Sequence, residues 1–340
     1  SMGKLKASAF WYRRAKSKNP NLSDPSYNLS LLYLKKGEWA AGWADYEYRF
    51  DVKKGAVEKF ISCKPRWDYR YVKSLFAWGE QGVGDEVMFA SCIEELKNFS
   101  DHLTVSCDER LLPLFNRSFS QDISFVKKVV HVESESFNSH VPLGSAFGFL
   151  RQTDESFRVA RTAYLKADRK RIDYLRKRLE LQINGQKFIV GISWRSSANK
   201  DASKRSINLL ELAKAIPNDF QLVNLQYGEV SSDLDELKRA TGREVLTISE
   251  VDNYNNLDDF CALIKACDLV ISIDNSTVHF AGALGQNCYV LLPFSHQSDW
   301  RWGLNGSSKS YQYDSLSLLW QKFPDDWKSC LKNLQEKLMS

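Results

Sequence analysis

The spacing of apolar residues changes character along the chain. From Tyr27 to Phe50 they recur every three or four positions. Leu29, Leu32, Tyr33 and Leu34 form one face that stops at Lys36-Gly37, and Trp39, Trp43, Tyr46 and Phe50 form another that starts at Glu38. This pattern predicts two short helices joined at a glycine, with a further helix over Ser8 to Lys18 before them. Beyond residue 60 the rhythm becomes short apolar runs separated by amphipathic stretches. Ser74–Trp78, Leu103–Ser106, Ile123–Val126 and Val129–Val132 read as strands, as do Phe188–Trp194, Gln221–Gln226, Val245–Ile248, Leu269–Ile273 and Cys288–Leu292. Helices are predicted from Asp85 to about Lys97, over Asp168–Leu181 (ended by Asn184-Gly185), over Leu209–Ala215, from Leu257 through Lys265 and over Trp327–Leu338. Continuous apolar strands alternating with helices indicate an α/β fold with parallel sheets covered on both faces.

Three stretches carry candidate chemistry. In Leu269–Gly285 a buried strand meets Asp274-Asn275-Ser276-Thr277, a row of capping side chains, and then Val278–Leu284, rich in small residues. Such a strand–turn–helix aims free backbone N–H groups and a positive dipole end at the carboxyl edge of the sheet, which suits a phosphate. An ordinary, well-capped turn is the bland alternative. The second stretch, Gly79-Glu80-Gln81-Gly82-Val83-Gly84-Asp85-Glu86, is a glycine-rich loop that opens a helix. The third, Arg195 to Ile207, is polar, basic and long for a strand–helix connection.

Composition narrows the class. The chain has 340 residues, 43% hydrophobic and 26% charged, enough for two ordinary globular domains. No apolar run approaches the roughly 20 residues that span a bilayer, and no secretory signal is visible. Ser1-Met2-Gly3 has the look of an expression scar, so natural sequence could precede it. Cys63, Cys92, Cys107, Cys261, Cys267, Cys288 and Cys330 show no paired spacing, which predicts free thiols in a reducing compartment. A net charge of +5 fits an anionic substrate or membrane surface better than nucleic acid. Asp233-Leu234-Asp235 falls in a surface-like helical stretch and does not suggest a metal-bound donor.

Asp274-Asn275-Ser276-Thr277-Val278-His279 with Ala281-Gly282-Ala283-Leu284-Gly285 resembles a segment of bacterial heptosyltransferases, and more closely tetratricopeptide-linked glycosyltransferases that share their fold. Gly82-Val83-Gly84-Asp85-Glu86, His140-Val141-Pro142-Leu143-Gly144-Ser145, Trp194-Arg195 with Lys204-Arg205-Ser206-Ile207, Leu225-Gln226-Tyr227-Gly228 and Asp299-Trp300-Arg301-Trp302 resemble further segments of that group. The motifs run in order over about residues 25 to 335. Asn275 departs mildly, since threonine is commoner there.

The resemblance implies two Rossmann-like domains facing across a cleft, the GT-B arrangement, preceded by a tetratricopeptide-like hairpin. The expected divisions are 1–60 (helical segment), 61–166 (acceptor domain), 167–325 (donor domain) and 326–340 (a closing helix that commonly crosses back onto the first domain). It implies an inverting, metal-independent transfer of sugar from a nucleotide-diphosphate sugar to a protein, glycan or lipid. Asp85 would be the general base and His279 a second catalytic residue. Arg195, Lys204, Arg205, Asn275, Ser276, Thr277 and Val278 would hold the donor diphosphate, and Gln226, Tyr227 and Asp274 the nucleoside. Gly82, Gly84, Glu86 and His140 would line the acceptor side, with His140 in a loop. In Asp299–Trp302 the charged residues would fix the loop and the tryptophans pack. No cofactor or metal is implied. The helical segment could hold a protein or peptide acceptor. The implied place is the cytoplasm, with a peripheral position at the inner membrane as an option. A nucleotide-sugar 2-epimerase and a non-catalytic, nucleotide-binding adaptor are the competing readings.

Overall fold

The computed structural model describes residues 2–53, 57–129, 136–158, 162–183, 188–196, 202–294, 297–304 and 306–339. The chain divides into two compact units, Ser1–Tyr164 with Asp299–Leu304, and Leu165–Ser298 with Asn305–Ser340. Among the described residues no helix is long and apolar enough to cross a membrane.

The first unit opens with helices α1 (Met2–Lys18), α2 (Ser23–Lys35) and α3 (Trp39–Tyr46), and a 3-10 turn over Glu47–Phe50. The aromatic face of these helices is turned inward. Trp39, Trp43 and Tyr46 are buried, and the Trp43 indole N–H donates to the Arg151 carbonyl at 2.8 Å. Residues 1–60 are therefore built into the first unit. Then come β1 (Val72–Trp78), α4 (Val83–Ala90), α5 (Ile93–Leu96), β2 (Ser100–Cys107), α6 (Leu112–Ser118), β3 (Ile123–Lys127), β4 (Ser139–Pro142), α7 (Leu143–Leu150) and α8 (Asp154–Arg158). The four strands are parallel in the order β3-β2-β1-β4. The chain moves outward from β1 and returns to its other side, so the topological switch lies between β1 and β4, where ligands of open α/β sheets bind.

Two expectations are corrected here. The helix that starts near Asp85 does not continue to Lys97. It ends at Ala90, and Ser91 and Cys92 turn the chain before α5. His140 is not in a loop but in β4, paired in register with Phe76. The expected strand Val129–Val132 falls largely outside the described residues, as do Asn184-Gly185.

The second unit contains α9 (Arg169–Gln182), β5 (Ile189–Ser193), α10 (Ala202–Arg205), α11 (Leu209–Lys214), β6 (Gln221–Asn224), α12 (Ser231–Thr241), β7 (Val245–Leu246), α13 (Leu257–Ala266), β8 (Leu269–Ile273), α14 (Ser276–Ala283), β9 (Cys288–Leu292), β10 (Leu316–Trp320) and α15 (Trp327–Met339). Its six parallel strands run β10-β9-β8-β5-β6-β7. Counted from β5, this is the doubly wound dinucleotide-fold order, with the switch between β5 and β8. Every position of β5 and β8 is buried. Each of Ile189, Val190, Ile192, Val270, Ile271 and Ile273 contributes about 1.5–3 kcal/mol by leaving water. The basic helix α9 is anchored rather than merely solvated: Arg171 pairs with Asp259 at 2.8 Å and Arg176 with Asp268 at 2.7 Å. The closing helix α15 stays within this unit. Its Cys330, Leu331 and Leu334 join the core formed by Ile271, Leu291 and Leu319.

Candidate functional site

At the carboxyl edge of the first sheet, residues 79–82 link β1 to α4. A Cβ on Gly79 would lie 2.6 Å from the Glu86 carboxyl carbon, so a larger residue there would displace the Glu86 carboxylate. Gly82 is the N-cap of α4, and its N–H donates to Asp85 Oδ2 at 3.3 Å. A carboxylate at this position also faces the positive end of the helix. Arg301 Nη2 donates to Asp85 Oδ1 at 2.6 Å. The two side chains keep 12% and 18% exposure, so the pair can still be approached.

Around this pair the edge is charged but closed. Arg49 grips Glu80 with Nε and Nη2 at 3.0 to 3.1 Å, and neither side chain is exposed. Burial raises the Glu80 pKa against the opposing pull of Arg49. Ser145 accepts from Arg49 at 2.8 Å and donates to Glu47. Burial works against ionised Glu47, but Arg49, Ser145 and Arg66 outweigh it and hold its pKa below the ordinary value. A Cβ on Gly144 would lie 2.0 Å from Glu80 Oε1, so a larger residue there would push the Glu80 carboxylate out of its place against Arg49.

Two residues expected on the acceptor side are committed elsewhere. Glu86 is buried, accepts from Lys128 at 2.9 Å and from the Asp108 N–H at 2.8 Å, and has its pKa raised by burial. His140 Nδ1 accepts the Trp78 indole N–H at 3.2 Å. Burial and then the Arg66 charge lower its pKa to about 4, so it is neutral near pH 7. Its ring packs against Phe60 at 5.1 Å.

At the carboxyl edge of the second sheet, Asn275 is the N-cap of α14. Its Oδ1 accepts from the Thr277 N–H at 3.1 Å and from Ser272 at 3.0 Å, and its Nδ2 donates to Ser193 Oγ at 2.7 Å. One amide thus caps the helix and ties β8 to β5 across the switch point. The first turn, Ser276, Thr277 and Val278, contains no acidic residue. Thr277 Oγ1 is buried and has no hydrogen-bond partner among the described residues. Arg205 Nη1 lies 3.7 Å from Asp274 Oδ2, which brings this cation to the same turn. Lys204 is exposed beside it on α10. Residues 197–201 of the basic loop lie outside the described residues.

The other candidates separate. Arg195 turns toward α12, where its Nε pairs with Asp233 at 3.2 Å and its Nη2 donates to the Glu229 carbonyl. Asp233 also accepts the Trp194 indole N–H at 2.7 Å. Gln226 is a brace: its Oε1 accepts from Ser193 Oγ and from the N–H groups of Trp194 and Arg195 at 2.8 to 3.1 Å, and its Nε2 donates to the Tyr227 carbonyl. Tyr227 sits 6.1 Å, ring to ring, from the exposed Tyr254, a neighbour that sequence reading did not single out. His279 is 2% exposed, and its Nδ1 meets the Tyr313 hydroxyl at 3.0 Å. Among the described residues no group of acidic, histidine or cysteine side chains could hold a metal ion.

With this geometry in hand, the chain was compared with known proteins. No family model matches the sequence. A glycosyl transferase family 9 protein from Veillonella parvula superposes with a TM-score of 0.52 at 11% identity, covering 81% of this chain and 97% of that one. The chain shares its fold with a family 9 glycosyl transferase. The E. coli ADP-heptose LPS heptosyltransferase II gives a TM-score of 0.49 at 14% identity, over 78% of this chain and 100% of that one. In sequence, Protein FlbA of Caulobacter vibrioides is 30% identical over 291 residues, 80% of this chain. The chain spans 48% of that relative's length.

Proposed function

We propose that this chain is a glycosyltransferase that uses a nucleotide-diphosphate sugar and inverts the configuration of the anomeric carbon. The observation that carries this reading is the turn between β8 and α14. A helix whose first turn carries no acidic side chain, a buried Thr277 hydroxyl without a partner among the described residues, and Arg205 beside Asp274 meet there at a topological switch point. Backbone N–H groups from Ser276 to Val278, with Lys204 and Arg205, would hold the diphosphate. The same cations would stabilise the charge that gathers on the diphosphate as the sugar–oxygen bond breaks. They do for the leaving group what a divalent ion does elsewhere, so the transfer needs no metal.

Asp85 is the general base in this reading. An acceptor hydroxyl attacks the anomeric carbon on the face opposite the diphosphate, and the carboxylate takes its proton. The acceptor is a hydroxyl of a protein, glycan or lipid. Arg195, Gln226 and Glu86 act by holding the edges of the two sheets in shape. Buried His279 supports α14 through Tyr313.

A thermal-shift series with UDP, ADP, GDP and CMP and their sugar conjugates tests the reading. A ligand that binds only the native state raises the unfolding midpoint once its concentration passes its dissociation constant. One nucleoside diphosphate should raise the midpoint selectively, and Lys204→Ala/Arg205→Ala should remove the rise. Absence of a shift with every nucleotide would overturn the donor-site assignment. Formation of the 2-epimer of the nucleotide sugar without any acceptor would replace transfer with isomerisation.

A further inference from the structure

Arg301 and Asp85 lie 216 positions apart in sequence, yet both belong to the first unit. Among the described residues after Tyr164, Asp299–Leu304 is the only stretch that does. This short excursion is held firmly. Trp300 is buried and sits edge-on between Trp43 at 5.3 Å and Tyr46 at 6.3 Å, both from α3. Trp302 is buried as well. Asp299 caps the short 3-10 turn, accepting from the Arg301 N–H at 3.4 Å, and also pairs with Arg301 Nε at 3.2 Å. The guanidinium is thereby aimed before it reaches Asp85.

The contact divides the carboxylate in a definite way. Arg301 takes Oδ1 at 2.6 Å, and the Gly82 N–H takes Oδ2 at 3.3 Å. Two anchors on different oxygens fix the plane of the group. An ionised carboxylate has about four acceptor directions, so each oxygen keeps one for an incoming hydroxyl. A general base that must meet a proton within hydrogen-bond reach gains most from such fixing.

Resting on the reading of Asp85 as base, we propose that Arg301 is a positioning residue for the transfer reaction. It orients the Asp85 carboxylate toward the acceptor hydroxyl, and α3 supports it through Trp300. The N-terminal helices then serve catalysis directly, by holding the residue that aims the base.

A double-mutant cycle of Arg301→Gln and Asp85→Asn in the whole chain tests this, with transfer rate and nucleoside-diphosphate thermal shift read in parallel. Misplacing a reacting group by about 1 Å can cost roughly a hundredfold in rate, so Arg301→Gln should lower kcat by about 10- to 100-fold. It should leave the diphosphate shift unchanged. In the Asp85→Asn background the same substitution should change kcat by less than about twofold, because the group it acts through is gone. A kcat for Arg301→Gln within twofold of wild type would overturn the proposal, and so would its full effect persisting without Asp85. If Arg301→Gln does not fold, Arg301→Lys carries the same cycle: it keeps the charge, loses the fork and should give an intermediate kcat with the same non-additivity. Failure of the parent reading looks different, since wild-type chain would then transfer no sugar, or Asp85→Asn alone would leave kcat intact.

Discussion

The carboxyl edges of the two sheets are built alike and electrified oppositely. In each, a strand buried at its carboxyl end beside the switch point runs into a tight turn and an eight-residue helix, β1 into α4 and β8 into α14. The first helix carries Asp85 and Glu86 in its opening turn, and its surroundings hold the pairs Arg49–Glu80, Lys128–Glu86 and Arg301–Asp85. The second is capped by a neutral amide and has no acidic residue in its first turn. A helix N-terminus already faced by its own carboxylates has little to offer another anion. One capped by neutral groups leaves its dipole and its N–H groups to a ligand. On the proposed function, the same architecture would serve a proton acceptor in one unit and a phosphate in the other, and the side chains of the first helical turn would make the difference.

The largest expected effect comes from breaking a pair at the first edge. Arg49→Ala leaves Glu80 buried with its principal cation gone, and removing one partner of a buried pair costs about 3–5 kcal/mol. Urea unfolding should show a loss of that size. Glu80→Ala in the Arg49→Ala background should give back part of it, because the stranded carboxylate is then removed too. A loss below about 1 kcal/mol, the range of exposed pairs, would mean that the first edge is not held by its charges.

The pH response probes the same edge more gently. His140 has a folded pKa of about 4 against an ordinary value of 6.5. Between those values the unfolded chain binds a proton that the native chain refuses, so stability rises with pH across the window. The contribution is fully present above pH 6.5 and is lost as the pH falls toward 4. In full it amounts to about 3 kcal/mol. Glu80 and Glu86, whose pKa values are raised, act in the opposite sense on the acid side, so the readout is the difference from His140→Gln. Between pH 7 and pH 4.5 the wild type should lose about 2 kcal/mol more than the variant in urea midpoint experiments. Parallel curves would show that His140 is solvated rather than packed.

What the sequence revealed follows from the range of the interactions. The β8–α14 turn was legible because its signals are local: a continuous apolar run, capping residues and a small-residue helix within about a dozen positions. The carboxylates at the start of α4 were legible for the same reason. β4 was missed because Ser139–Pro142 is a four-residue strand containing a polar serine, a histidine and a proline, with no alternation to read. Gln226 was expected to meet a nucleotide base, but three donors from residues more than 30 positions earlier occupy its oxygen. Glu86, beside Asp85, turned inward to Lys128, 42 positions later. Asp299–Trp302 was expected to fix its own loop, with the tryptophans packing, and both tryptophans are buried. That Arg301 would reach Asp85 has no signature in spacing or periodicity.

The smallest substitution bears most directly on the comparison. Ser276→Asp gives the second helix the kind of first turn that the first helix has. As a folding change it is mild: a carboxylate near a helix N-terminus is worth about 0.3–1 kcal/mol of stabilisation, reduced here by nearby Asp274. As a binding change it is adverse, because the new charge occupies the dipole and repels a phosphate at the same turn. The thermal midpoint of the free chain should move little, while the nucleoside-diphosphate affinity falls at least about tenfold, or roughly 1.4 kcal/mol. Ser276→Asn, of similar volume but neutral, should bind like wild type. If Ser276→Asp binds the nucleotide as well as Ser276→Asn does, the N-terminus of α14 is not where the diphosphate sits. The contrast between the two edges would then be a matter of helix stability alone. If only the charged variant loses binding, the missing carboxylate in the first turn of α14 is what makes the second edge an anion site.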